Sequence, residues 1–349
     1  MKKITTLLMC FVATAMFAQE KATTPKFSFS GSVDAYYRAN FSAPNDENHV
    51  APGSSFANLP GFALGMVNLV ASYEGKKTGF VADLMFGPRG TDAIFNSPMY
   101  PVGNEEIGTG NIVAQLYAYW NVSESVKLTI GNFNTFLGYE VISPVVNFNY
   151  STSYLFSYGP FTHTGLKADF ALSEDFSLML GVMNDTDITE FNPTGDYAFG
   201  AQLGYSGQFL NVLVDPSFFE IDFTGGIDLF DTFFLGINAA HLSYEDNGGS
   251  FTGGAIYPQY AISESFTAGL RAEYFSESDF GAGGIGAYDT NGYGSVFALT
   301  LTGSYAVENL TIKPEIRLDS TSEEGAFWDN DLMPSKSLGS FVMAAIYSF

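Results

Sequence analysis

The residues most open to catalytic or metal chemistry are three histidines, His49, His163 and His241, and a few paired acids. The histidines are too scattered for a zinc spacing. His163, flanked by Thr162 and Thr164, could act as a general base toward a serine, as in an esterase of membrane lipid. No nucleophile motif accompanies it, and such sites are defined by geometry. Glu105–Glu106, Glu323–Glu324 and Asp329-Asn330-Asp331 could offer oxygens to Ca²⁺ or Mg²⁺. None has the regular spacing of a calcium loop, so solvated loop charge is the plainer reading. No catalytic residue, metal centre or cofactor is assigned, and the chain reads as a non-enzyme.

A second set of charges is more informative because of its neighbours. In LTIKPEIRLD, Leu310, Ile312, Pro314, Ile316 and Leu318 share one face, and Lys313, Glu315, Arg317 and Asp319 share the other. The same period of two places Asp34 and Arg38 opposite Val33, Ala35 and Tyr37. It sets Arg271 and Glu273 opposite Leu270, Ala272 and Tyr274, and Lys167 and Asp169 opposite Leu166, Ala168 and Phe170. Asp83 falls into the same class. Facing groups of both signs could pair across strands and fix register, or order water and select solutes by charge and size.

Strands of this kind need a setting, and the start of the chain supplies one. Lys2 and Lys3, the apolar run Ile4–Phe17 and the small Ala18 predict a cleaved signal peptide over 1–18, giving a mature start at Gln19. Cys10, the only cysteine, falls inside it, which excludes a disulfide framework from the mature chain. Removing Lys2 and Lys3 leaves 12 basic against 37 acidic side chains, a formal charge of −25. That balance argues against nucleic acid as a partner. Only 15% of residues are charged, while Phe and Tyr number 34 and 20. This suggests lipid contact, yet no later apolar run approaches the roughly 20 residues of a spanning helix. A closed β-barrel is the remaining way across a bilayer, because every backbone group must be paired there.

The phrases VSESVKLTIG, LSEDFSLMLG and ISESFTAGLR each join a polar turn to an alternating run. Short turns at Gly75–Lys77, Ser123–Ser125, Ser173–Asp175, Gly207–Gln208, Phe230–Asp231, Ser263–Ser265 and Glu308–Asn309 give seven hairpins. Longer outer segments lie between them, at 42–60, 88–108, 137–160, 277–293 and 320–339. The fold expected over 19–349 is one all-β, closed, antiparallel transmembrane barrel of about 16 strands (range 12–16), with short periplasmic turns and long outer loops. A hidden pair of strands near Pro216–Glu220 would change the count, and 232–244 is apolar on both faces over part of its length. The final strand carries Phe341, Met343, Ala345, Tyr347 and Phe349 on one face. Its terminal aromatic resembles the signal read by the outer-membrane assembly machinery. About seven residues precede the first strand, too few for a plug domain.

The block from Leu128 to Gly165 resembles the OmpL-like β-barrel porin family. It carries Gly131, Phe133 and Thr135, then Gly138-Tyr139-Glu140, Asn149-Tyr150-Ser151, and Pro160, Phe161, His163 and Gly165. GVMNDTD (181–187), with Asp185 in place of a glycine, RAEYF (271–275) and PEIRLD (314–319) match in type and order. The resemblance implies an outer-membrane barrel more firmly than it implies a solute.

Segment 137–160 is rich in Tyr, Phe and Val, which is unsuited to an exposed loop. It is expected to fold into the mouth and narrow the lumen, bringing Tyr139, Glu140, Asn149, Tyr150, Ser151, Tyr154 and His163 inside; packing over the rim or against another subunit is the alternative. The function expected is passive diffusion of small hydrophilic solutes, without cofactor or energy coupling. The acidic balance favours cations or neutral solutes unless basic wall residues dominate at the narrowest point. A closed or plugged barrel with a structural, adhesive or complex-scaffolding role is the rival. Outer-membrane lipid is the expected surround and a homo-oligomer a possible assembly.

Overall fold

Alternating segments can satisfy their backbone only by pairing with neighbours. Sixteen do so in the computed structural model, which describes residues 25–94, 100–102, 105–107, 112–189, 192 and 194–349. The signal-peptide expectation therefore lies outside the described residues. The strands are β1 (Lys26–Asn40), β2 (Gly61–Glu74), β3 (Thr78–Phe86), β4 (Val113–Asn121), β5 (Val126–Asn134), β6 (Thr162–Ala171), β7 (Phe176–Met183) and β8 (Ala198–Tyr205). They continue as β9 (Gln208–Val214), β10 (Phe218–Phe230), β11 (Phe233–Tyr244), β12 (Ser250–Ala261), β13 (Phe266–Ser278), β14 (Gly294–Val307), β15 (Leu310–Thr321) and β16 (Ser337–Ser348). Each pairs antiparallel with its neighbour in sequence, and β16 returns to β1, so the sheet is a closed barrel. The seam matches Ser32–Asn40 with Ser348–Ser340. It is extended by reciprocal backbone bonds between Gly31 and Phe349, at 3.1 and 3.0 Å.

Seven short turns close one end. Two differ by a residue from the sequence expectation. The turns are Ser206–Gly207 and Asp231–Thr232, because Gln208 pairs with Tyr205 and Phe230 with Phe233. The repeated Ser-x-Ser/Asp phrase has a local cause. The hydroxyl of its first serine accepts the backbone N–H three residues on, Ser173 from Phe176 and Ser263 from Phe266, both at 3.1 Å. At the other end the connection at 215–217 is as tight as these. Asp215 Oδ1 accepts from the Ser217 N–H at 2.9 Å, and no strand is hidden there. The remaining connections at that end are longer and carry two short helices, α1 (Pro88–Ala93) and α2 (Tyr154–Tyr158).

Alternation sorts side chains by face. Ile316 and Leu318 on β15 are 45% and 52% exposed on the outside, whereas Lys313, Glu315, Arg317 and Asp319 are at most 3% exposed inside. The ambiguous 232–244 run obeys the same rule, with Ile237 outward and Asn238, Ala240 and Leu242 buried within. The interior of the long-loop half is itself packed. Phe56, Met66, Met85, Ile142, Phe156 and Phe161 form one buried cluster. Tyr154, Leu155, Phe251, Phe275, Ile285 and Val296 form another.

Candidate functional site

The connection from β5 to β6, residues 135–161, leaves the wall and runs along its inner face. Gly138, in the left-handed region at φ +80°, turns the chain inward, and its N–H donates to Asp222 on β10 at 3.1 Å. Gln202 on β8 donates to the Phe136 carbonyl at 3.1 Å. The wall is dented to receive the rings. A Cβ at Gly200 would overlap Phe136, one at Gly236 would overlap Tyr139, and one at Gly269 would overlap Phe148. Tyr139, seated over Gly236, stacks on Tyr257 with ring centroids 4.1 Å apart.

The charges of β13 and β15 meet this segment. Arg271 pairs with Glu140 at 2.6 Å, both side chains almost wholly buried. It also donates to the carbonyls of Ser151 and Thr152 and to Thr300 Oγ1. The other oxygen of Glu140 accepts from the Ser153 N–H and hydroxyl, at 2.7 and 2.6 Å. Glu273 accepts the first N–H groups of α2, from Tyr154 at 3.0 Å and Leu155 at 2.8 Å. Glu315 accepts from the N–H of Tyr150 (2.9 Å) and Ser151 (3.1 Å), from the Ser151 hydroxyl, and from Thr302 Oγ1 at 2.8 Å. Lys313 donates to the carbonyls of Pro144 and Asn147. Arg317 lies against both oxygens of Asp319 and donates to the Thr152 carbonyl at 2.8 Å. On β1, Asp34 accepts from the Tyr150 hydroxyl at 2.5 Å, and Arg38 donates to the Ala51 carbonyl. Asn149 donates to Thr302 Oγ1 at 2.7 Å. Buried charge is costly unless paired and hydrogen-bonded. Here segment backbone and wall carboxylates supply the partners.

The predicted site residues thus divide into two groups. Asp34, Arg38, Arg271, Glu273, Lys313, Glu315, Arg317 and Asp319 converge with Tyr139, Glu140, Asn149, Tyr150, Ser151 and Tyr154. Asp83, Lys167 and Asp169 lie elsewhere: Asp83 accepts from Asn68 and Gln115, and Lys167 stands 3.7 Å from Asp169. His163 is fully buried between the rings of Phe133 and Phe136, with its Nε2 3.0 Å from Thr135 Oγ1. Among the described residues no group of three His, Cys, Asp or Glu is arranged to hold a metal. Asp329 uses an oxygen to close its own turn onto the N–H of Asp331 and Met333.

Two participants were not foreseen. Arg89 on α1 donates to the carbonyls of Ile142 (2.9 Å) and Tyr150 (3.2 Å) and lies over the Phe56 and Tyr150 rings. No sequence signal marked it. Asp187, the last residue of GVMNDTD, accepts from the N–H of Phe161 and Thr162 at 2.8 and 2.7 Å, where the segment enters β6. Burial pushes its carboxyl up to about 7, the two N–H donors opposing and Asp215 adding to the rise.

The sequence profile of the family described as "Putative beta-barrel porin-2, OmpL-like" matches residues 26–349. A search of the curated proteins found no match. Among solved structures, the outer membrane channel DcaP of Acinetobacter baumannii is similar at 13% identity and TM-score 0.59, over 95% of this chain and 100% of that one. An anion-selective porin from Comamonas acidovorans is similar at 8% identity and TM-score 0.59, over 93% and 100%. The loop L8 deletion mutant of OmpT from Vibrio cholerae is similar at 12% identity and TM-score 0.55, over 93% and 99%. At these identities the likeness is one of fold.

Proposed function

Because the chain belongs to the OmpL-like β-barrel porin-2 family of the outer membrane, we propose that it conducts small hydrophilic solutes passively, through a lumen narrowed by segment 137–160. The observation that carries this reading is the bonding of that segment to the inward charges of β13 and β15, across the inside of a closed 16-strand wall. A barrel of this size leaves an aqueous path unless something occupies it. Arg271, Glu273, Lys313, Glu315 and Arg317 hold the segment, while Lys167, with Asp169 beside it, lines the passage on the opposite wall. Hydrocarbon covers the outward face, and the strand ending at Phe349 engages the assembly machinery. The mature chain begins after Ala18.

Planar-bilayer conductance and liposome swelling with a panel of sugars and amino acids test this. Discrete conductance steps and size-limited swelling are expected. A specific observation favours a second reading, a plugged barrel with a scaffolding or adhesive role: the apolar clusters that fill the long-loop half of the interior. Absence of swelling both in the native protein and in a variant whose segment has been released would establish that alternative.

A further inference from the structure

Nearly all charges that face the interior at mid-height are withdrawn from water. Arg38, Arg271, Lys313 and Arg317 are each at most 3% exposed, and each donates to a carbonyl of the segment or of the 41–60 connection. Asp34, Asp83, Glu273, Glu315 and Asp319 are at most 9% exposed.

Two lysines differ. Lys127 on β5 and Lys167 on β6 are half-buried, and the Lys167 side chain is 23% exposed. Register places Lys127 opposite Asp169 and Lys167 opposite Thr129. Such diagonal neighbours stand about 7–8 Å apart. Each ammonium is backed by an aromatic face. Lys127 Nζ lies 4.4 Å from the Tyr119 ring centroid, and Lys167 Nζ lies 5.1 Å from that of Phe133. Among the described residues the Lys127 ammonium makes that ring contact and no hydrogen bond. Asp169, 8% exposed, is the carboxylate nearest to both. Asp83 on β3 is held by Asn68 and Gln115, and Glu74, exposed at the end of β2, acts on the Lys127 ammonium from farther off than Asp169. The rung therefore presents two ammonium groups against one near carboxylate, Asp169, and the more distant Glu74, with donors of Lys127 left unfilled.

We propose that Lys127 and Lys167 form an anion-attracting rung that makes the passage select small anions bearing carboxylate or phosphate oxygens. The inference rests on the channel reading above and adds the sign of its selectivity. The net charge of the whole chain, −23, does not decide the matter. Loop charges are screened within about 8–10 Å at ordinary salt, so an ion in a narrow passage responds to its nearest neighbours. A full charge about 5 Å from the path would enrich the opposite ion roughly fourfold in water, which is the upper bound for a rung that Asp169 and Glu74 partly offset.

Reversal potentials in a potassium chloride gradient test the proposal on the native protein, on the double variant Lys127→Gln/Lys167→Gln, and on Lys76→Gln, which alters an exposed turn. Chloride should be preferred several-fold in the native protein and in the Lys76 variant, and the preference should be lost or inverted in the double variant. Potassium preference in the native protein, or a ratio unchanged in the double variant, would overturn it. Acylation of the solubilised protein by a sulfonated succinimidyl ester, read by mass spectrometry, gives an answer that needs no current. Inorganic phosphate should slow modification at Lys127 and Lys167 and leave Lys76 unaffected. Protection without conductance would sink the channel and keep the rung. Conductance with neither protection nor chloride preference would do the reverse.

Discussion

Replacing Glu315 with alanine should release the inner segment without opening the wall. The carboxylate takes the N–H groups of Tyr150 and Ser151, and position 315 is 1% exposed. Stranding a buried donor costs about 1–3 kcal/mol, so two cost about 2–6 kcal/mol. Water entering the vacated space would relieve part of this. A shift of about 2–4 kcal/mol remains, roughly 30- to 1,000-fold in the ratio of attached to detached segment. The wall loses only the Thr302 hydroxyl bond and keeps its ladder, because residue 315 pairs through its backbone with Thr302 and Val342. Chymotrypsin should therefore cut near Phe148 and Tyr150 in the variant while the barrel keeps its heat-modifiable migration on gels, and single-channel conductance should rise. Glu315→Gln should fall between, since its amide keeps one acceptor and turns an NH₂ toward the other N–H. Native protease resistance and native conductance in both variants would refute the reasoning and show that packing alone holds the segment.

Gly236→Ala should drive the Tyr139 ring from its stack on Tyr257, at a cost of about 1–3 kcal/mol, and speed protease release of the segment. Gly254→Ala is the control, because a Cβ there meets nothing nearer than 3.8 Å. Asp187 makes the joint between segment and β6 pH-dependent. Its folded value of about 7 lies above the ordinary carboxyl value of 3.8, so the fold binds the extra proton. Its contribution is fully present below pH 3.8 and is lost as pH rises through 7. Unfolding followed from pH 4 to 8 should show that loss in the native protein and a flatter profile in Asp187→Asn. Tyr158→Phe removes the hydroxyl that donates to the Gly53 carbonyl at 2.5 Å and approaches that of Gly284 at 3.3 Å. Amide exchange in 41–60 and 279–293 should quicken, by an amount corresponding to about 1 kcal/mol.

The wall was legible because its signal is repetitive. Each strand had to place apolar groups on one side and polar groups on the other, and each Ser-x-Ser/Asp turn reported a hairpin. The sixteen-strand count survived even at 215–217, where an outer connection is short enough to pass for a turn of the other end. The partners of the inner segment were less visible. Glu140, Asn149 and Tyr150 could be singled out, but not that Glu140 would find Arg271, since nothing local encodes a meeting 131 residues away. Arg89 sat in a connection with no periodic pattern and became meaningful only through the Ile142 and Tyr150 carbonyls it reaches. The wall glycines did carry a signal. Gly200, Gly236 and Gly269 interrupt strands where a side chain would otherwise pack, and such interruptions mark close approach. What approached could not be read from the strands themselves.

The long sequence separation between the segment and its holders dictates an order of events. Tyr150 and Glu315 are 165 positions apart, and Ser54 and Arg317 are 263. Staves laid side by side in chain order need no such leaps until the last, β16, returns to β1, whereas contacts of this reach form late. The strands β13 and β15 must therefore be in place before the inner segment has anywhere to seat. A molecule arrested before that step would be a wall with its inner segment unseated rather than an unfolded chain.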